Sequence, residues 1–283
     1  MSVIGTFLLA TATAGWAPPP ADTIVELRRG DRIVIENVSG DLTVIGVAGD
    51  RMEVQSMDRA EGLAVRRTGS EVRLVRADTR GRRRPVDATV RVPRWVSLEI
   101  SGPELELSIA GIGGALRVGN VSGDIRIEDI GGPIDLRSID GEVYIQDARG
   151  GVRASSQAED VTIRGVSGPV EVHSGDGDIL LADVTSSSVR AETQDGDIDF
   201  SGTIERGGEY GFFVHDGDAR IAVPAASGAT VHVSTFDGEF QSEFPIVVER
   251  FSAGREFEFV LGDGGARLQI EVFDGEIRLL QRR

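Results

Sequence analysis

The chain has 283 residues and a formal net charge of −16, from 46 Asp and Glu against 30 basic residues, all of which are Arg. It contains no cysteine, which excludes a disulfide framework, a thiolate metal site and a cysteine nucleophile. Hydrophobic residues make up 40% of the chain, which is enough for a continuous core, so stability has to come from packing.

The N-terminal segment has the pattern of a secretory signal. An apolar run from Val3 to Ala14 ends in alternating small residues and is followed by Pro18-Pro19-Pro20, which predicts a signal peptide and proline-rich spacer over residues 1–21. The usual basic residue before the apolar run is missing, because the first Arg is Arg28. No later stretch approaches about 20 apolar residues, so we expect no transmembrane segment in the mature chain. The predicted location is extracytoplasmic: periplasmic, secreted or at the cell surface.

Residues 22–110 are predicted to form a less regular β region with an arginine-rich loop. From Arg51 to Arg94 the chain has 12 Arg against 6 Asp and Glu. The densest cluster is a candidate polyanion-binding loop formed by Arg80, Arg82, Arg83 and Arg84. Such a cluster can dock a surface polysaccharide, a phospholipid head group or nucleic acid. We favour the alternative of a solvated hairpin loop, because no aromatic residues are interleaved, and we do not expect nucleic acid as a partner.

An Asp-Gly-Asp or Asp-Gly-Glu triplet recurs through the chain, with Ser as the first residue in some copies. The nine central residues are Gly40, Gly123, Gly141, Glu159, Gly177, Gly196, Gly217, Gly238 and Gly275. The spacing is 18 residues from 123 to 177, and it then lengthens to 19 and 21. Apolar residues lie seven and five positions before most centres and two and four positions after them. This alternation, rich in β-branched residues, is typical of short strands with one buried face, so each repeat is predicted to be strand, turn, strand.

A repeat of this size cannot bury its own apolar face, so we expect each coil to stack on the one before it in the chain. The predicted fold is all-β: a β-solenoid, similar to a β-helix, over residues 111–283. Its irregular C-terminal cap is predicted from Glu243 to Gly265, where several Phe side chains provide apolar cover. Stacking turns every column of the repeat into a ladder in space.

Two of these columns are informative. Small polar residues lie three positions before most centres, where they can satisfy backbone groups that a turn leaves unpaired: Asn37, Asn120, Ser138, Ser156, Ser174, Thr193 and Thr235. Acidic residues flank the centres, and stacked carboxylates repel one another. Calcium is therefore an alternative, with Asp176, Asp178, Asp195 and Asp197 as candidate ligands. We expect no cofactor, because the double-glycine pattern of nonapeptide calcium repeats is not sustained.

A carbohydrate-active enzyme on a β-helix scaffold is a further alternative, because such enzymes use paired carboxylates. Here the carboxylates occur at every turn, whereas a catalytic pair should interrupt a repeat. His173, His215 and His232 are predicted to point outward from separate strands. The sequence contains no nucleophile, phosphate-binding or metal-binding motif. We therefore predict a protein without catalytic residues.

Three segments together resemble a known family: Gly30 to Val44, Val92 to Glu99, and the serial Ser/Asp-Gly-Asp-Ile coils. The chain is similar from about Gly30 onward to the bacterial toastrack-type β-repeat proteins, which are labelled as adhesins and have no established function. The resemblance implies an extracytoplasmic β-solenoid without catalytic residues. The predicted function is an adhesion, binding or structural module of the cell envelope, with an unidentified surface component, such as a polysaccharide, as its partner.

Overall fold

The computed structural model describes residues 23–56, 63–76, 85–246, 248–251 and 256–282. It is all β in these ranges, as predicted, and its strands belong to one hydrogen-bonded sheet. The strands are β1 Thr23–Glu26, β2 Arg32–Glu36, β3 Gly40–Val47, β4 Arg51–Ser56, β5 Leu63–Thr68, β6 Glu71–Arg76, β7 Ala88–Pro93, β8 Ser97–Ala110, β9 Leu116–Ser122, β10 Ile125–Ile130, β11 Ile134–Arg137, β12 Val143–Ala148, β13 Val152–Ser155, β14 Val161–Arg164, β15 Val170–Asp176, β16 Ile179–Asp195, β17 Ile198–Asp216, β18 Ala219–Pro224, β19 Ala229–Ser242, β20 Val248–Phe251, β21 Glu256–Leu261 and β22 Ala266–Arg282.

Equivalent strands of successive repeats pair in parallel and in register, which gives a solenoid-like arrangement. β9, β11, β13 and β15 pair in that order and form what we call the first face. β10, β12 and β14 pair in the same way on the second face. The 18-residue repeat is visible in the register, since Ile134 lies between Leu116 and Val152.

The core lies between the two faces and is filled by the alternating apolar positions. The inward residues of β12 and β14, such as Ile145 and Ile163, are fully buried, while their neighbours in sequence are exposed or partly exposed. The parallel ladder continues toward the N-terminus, because β8 pairs with β9 and β10 on one side and with β2 and β3 on the other.

The β8 coil is a repeat that lacks the Asp-Gly-Asp triplet. At the turn position it has Glu104-Leu105-Glu106, and Leu105 is the Cα partner of Gly40. Leu105 is 1% exposed, so this coil fills the position of the central glycine with a buried side chain.

The order of the last coils differs from the expected stacking in chain order. Asp274, next to Gly275, pairs with Asp216 on one side and with Asp237 on the other. β22 therefore lies between β17 and β18 on one side and β19 on the other, although β19 precedes it in the chain. The prediction that each coil stacks on its predecessor was wrong here, because β22 returns and separates two coils that are neighbours in sequence.

The C-terminal end of the stack is closed by antiparallel strands and aromatic side chains. β21 pairs antiparallel with β19, and β20 pairs antiparallel with β21. Phe240 contacts Phe257 and Phe259, with ring centroids 5.0 and 5.9 Å away, and Phe259 is fully buried. These rings cover the apolar end of the core.

Candidate binding groove

The triplet glycines lie where successive coils approach most closely. Gly177, Gly196, Gly217 and Gly275 all have φ between +123° and +143°. A Cβ atom on Gly196 would lie 2.5 Å from the carbonyl oxygen of Gly177, and the other three meet the preceding coil at similar distances. Only glycine combines this φ with this close contact. The triplet is therefore a turn motif.

The third residue of the triplet forms a hydrogen-bonded ladder. The backbone N–H at this position donates to Oδ1 of the Asp one coil before it, at 2.8–3.0 Å. The accepting residues, which we call the aspartate ladder, are Asp124, Asp160, Asp178, Asp197 and Asp218. Arg220 also donates to Asp197 and Asp218 at 3.0 Å. These bonds offset the repulsion between the stacked carboxylates.

The four candidate calcium ligands belong to two different columns. Asp178 and Asp197 are in the aspartate ladder, whereas Asp176 and Asp195 are partners in an exposed column formed by the first residue of the triplet. In the part of the chain that the structure describes, no group of three or more His, Asp or Glu is arranged to hold a metal ion.

We expect the melting temperature to be unchanged by millimolar calcium or by a chelator. Calcium takes six to eight oxygen ligands, whereas Asp178 and Asp197 lie in a different column from Asp176 and Asp195, and no group of three or more acidic or His side chains in the described residues is arranged around one point. Differential scanning fluorimetry with calcium, with magnesium and with chelator is the measurement. A rise in melting temperature specific to calcium would contradict the expectation, because a ligand bound only by the folded state stabilises it.

The small polar column is buried from Asn120 to Thr235, whereas Asn37 is exposed, and several of the buried members bond the turn backbone. Asn120 Nδ2 donates to the carbonyl oxygens of Leu105, Ser122 and Gly123 at 2.7–2.9 Å. Thr193 Oγ1 donates across coils to the Gly177 carbonyl at 3.2 Å. The hydroxyls of Ser138 and Ser156 make no hydrogen bond, although both residues are 3% exposed. These contacts support the structural interpretation of this column.

The three histidines lie on outward positions of separate strands, as predicted. His173 and His232 are partly exposed and face Glu residues, and His215 is exposed and stacks on the ring of Phe273. Phe236 stacks on the other side of Phe273 with its ring centroid 4.7 Å away, and it is 70% exposed. This aromatic row borders a second depression, of about 650 Å³.

Two predicted sites lie outside the described residues. These are the signal peptide over residues 1–21 and the arginine cluster Arg80, Arg82, Arg83 and Arg84. The polyanion-binding loop therefore stays a prediction. Within the described ranges, the structure contains no helix long and apolar enough to cross a membrane.

A groove with a volume of about 740 Å³ runs along the first face, parallel to the stacking direction. Its lining extends from β8 to β16, and at the β8 end it also includes Arg32 of β2, which lies 3.9 Å from Glu99. One side is lined by the turn residues and first strand positions of successive coils, which are small or rigid: Ser97, Ala115, Pro133, Gly150, Gly151, Pro169 and Ser188. A Cβ atom on Gly150 would lie 2.3 Å from the backbone of Gly132. The close stacking of these turns therefore excludes a side chain at this position, so none projects from it into the groove.

The other side of the groove is a single column of charged residues that alternate in sign. We call it the charge ladder, and its six rungs are paired in register as Glu99, Arg117, Asp135, Arg153, Glu171 and Arg190. All six line the groove. At roughly 4.8 Å per rung the ladder extends over about 24 Å.

Two neighbouring pairs of the charge ladder form ion pairs, and Arg190 pairs with Glu192, which lies outside the ladder, at 3.0 Å. Arg153 Nε donates to Glu171 Oε2 at 2.8 Å, and Arg117 Nε lies 3.5 Å from Asp135 Oδ2. The Arg153 guanidinium lowers the pKa of the Glu171 carboxyl below its usual value, and His173 acts in the same direction. Glu171 is therefore ionised at neutral pH, and the alternation of charge is maintained.

The family of the chain follows from its comparison with known proteins. The family model described as Toastrack DUF4097 matches residues 116–280, which is more than half of the chain. The chain belongs to this family. The match to the toastrack model covers β9 to β22, apart from the last residues of β22, and includes five of the six rungs of the charge ladder.

No curated protein matches this toastrack chain. Two solved structures are similar over 92% of it. One is a proposed cell adhesion protein from Clostridium sporogenes, with 9% identity, 98% of its own chain covered and a TM-score of 0.22. The other is a proposed adhesin from Bacteroides fragilis, with 11% identity, 99% coverage and a TM-score of 0.35. These scores are too low to bear on the function of the toastrack chain.

Proposed function

We propose that the chain is a non-catalytic binding module of the bacterial cell envelope, built as a β-solenoid, that holds an extended surface polymer in its groove. The observation that carries the proposal is the charge ladder along an open groove of about 740 Å³. A repeated row of charges over about 24 Å suits a ligand that is itself linear and repetitive, more than a single compact molecule.

The exposure of the arginines supports this role. The side chains of Arg117, Arg153 and Arg190 are 61%, 63% and 50% exposed. Each guanidinium has five N–H donors, and only some of them contact its carboxylate neighbour, so other donors remain for a ligand.

Several features support a module without catalysis or cofactor, located outside the cytoplasm. The carboxylates of the triplets repeat from coil to coil, and those of the aspartate ladder already bond the backbone. The apolar N-terminal segment and its proline-rich spacer favour export. Membership of the toastrack family agrees with an adhesion or binding role at the surface.

A polysaccharide array probed with purified protein tests the proposal. We expect the triple variant Arg117→Ala/Arg153→Ala/Arg190→Ala to bind about tenfold more weakly than wild type, because three exposed ion pairs at roughly 0.5 kcal/mol each amount to that factor.

Two charge-matched controls make this result specific. The variant Arg51→Ala/Arg164→Ala/Arg206→Ala removes three arginines that do not line the groove. The variant Arg82→Ala/Arg83→Ala/Arg84→Ala tests the arginine-rich loop. Both controls should bind as wild type does. Loss of binding only in the loop variant would assign the polymer to the loop, and loss in none of the variants would refute the role of the groove.

A further inference from the structure

The charge ladder changes sign with every coil. Successive rungs are roughly 4.8 Å apart, so charges of the same sign repeat at about 9.6 Å. The positive rungs are Arg117, Arg153 and Arg190, and the negative rungs between them are Asp135 and Glu171. A linear ligand that matches the ladder must repeat its own charge with this longer period.

An extended peptide does not match this period. Its side chains on one face recur every two residues, which is about 6.6–6.8 Å, so they fall out of step with the rungs within one or two repeats. In an extended polysaccharide, by contrast, each sugar advances the chain by about one coil spacing. One sugar then faces each rung, and one disaccharide faces each pair of rungs.

The geometry points to a linear polysaccharide with one carboxylate per disaccharide as the ligand of the groove. This inference rests on the proposed function and specifies the class of polymer. The acidic sugars face Arg117, Arg153 and Arg190, whose guanidinium groups bind carboxylates with directed N–H donors. The neutral sugars face Asp135 and Glu171, whose carboxylates accept hydrogen bonds from hydroxyl and amide N–H groups.

The negative rungs also select against other polymers. A polysaccharide that presents a carboxylate of every sugar to the ladder would place every second carboxylate against Asp135 or Glu171, and this like-charge contact disfavours it. A neutral polysaccharide would leave the arginines without an anionic partner. The small residues of the opposite side, such as Pro133 and Gly151, leave room for sugar rings next to the ladder.

The test compares three oligosaccharides of equal length, each long enough to span the six rungs, by isothermal titration calorimetry at one fixed low salt concentration. The first alternates glucuronate with N-acetylglucosamine, the second is all galacturonate, and the third is all N-acetylglucosamine. We expect the alternating oligosaccharide to bind about tenfold more tightly than either of the others. In the variant Glu171→Gln the difference in affinity between the alternating and the galacturonate oligosaccharide should be smaller than in wild type, because one repulsive rung is lost.

The possible results separate this inference from the proposed function. If the galacturonate or the neutral oligosaccharide binds as tightly as the alternating one, or if none of the three binds, the inference is wrong. The proposed function still stands in that case, provided that binding on the array depends on the three arginines. If array binding does not depend on them either, both are wrong. The inference would also be overturned if Glu171→Gln had the melting temperature of wild type and the same ratio of affinities for the alternating and the galacturonate oligosaccharide.

Discussion

Ending the chain after Gly265 is expected to abolish cooperative folding. The truncation removes β22, which pairs with β17 and β18 on one side and with β19 on the other. It also removes five side chains that are at most 1% exposed: Leu268, Ile270, Val272, Ile277 and Leu279. Burying each of them stabilises the fold by roughly 1.5–3 kcal/mol, and their sum of about 10 kcal/mol is comparable to the whole stability of a typical domain.

Thermal denaturation followed by circular dichroism, together with size-exclusion chromatography, measures the effect of this truncation. We expect no sigmoidal transition and extensive aggregation, because the edges of β17, β18 and β19 become exposed. A peptide of residues 266–282 added in trans should restore part of the transition. A peptide of the same composition in scrambled order should not. A truncated protein that melts cooperatively within a few degrees of wild type would contradict the central position of β22.

Much of the fold could be predicted from the sequence, because stacking follows directly from a repeat too small to fold alone. The apolar columns, the buried polar column at Asn120 and Thr193, and the turn role of the glycines all depend only on the repeat frame. The position of β22 could not be predicted in this way. Its own triplet at Gly275 fits the frame equally well next to Gly217 or next to Gly238, and only the three-dimensional pairing selects a place between them.

The candidate site could be predicted from the sequence less well than the fold could. The charge ladder lies six positions before the repeat centres, but its alternation of sign has a physical meaning only when successive coils are known to stack in register. In the linear sequence the acidic triplets are the more conspicuous charged pattern. The structure assigns Asp178 and Asp197 to backbone hydrogen bonds between coils, which a sequence pattern does not distinguish from ligand positions.

Replacing Gly217 by Ala is expected to destabilise the protein by about 2–6 kcal/mol. Gly217 has φ +134°, where a residue with a side chain is strained by roughly 1–3 kcal/mol. The added Cβ would also lie 2.3 Å from the carbonyl oxygen of Gly196, and relieving such overpacking costs about 1–3 kcal/mol. Urea denaturation gives the change in the free energy of unfolding, with an unchanged m-value as evidence that the same structure unfolds.

Two other glycines separate the causes of this effect. Gly207 has φ +76° and no atom within 4 Å of an added Cβ, so Gly207→Ala should show a backbone cost of roughly 1 kcal/mol without a clash. Gly119 has equal space and no left-handed φ, so Gly119→Ala should be neutral or slightly stabilising. If Gly217→Ala cost no more than Gly207→Ala, the coil of Gly196 would have to yield to the new methyl group. The close stacking would then not be what requires glycine in the triplet.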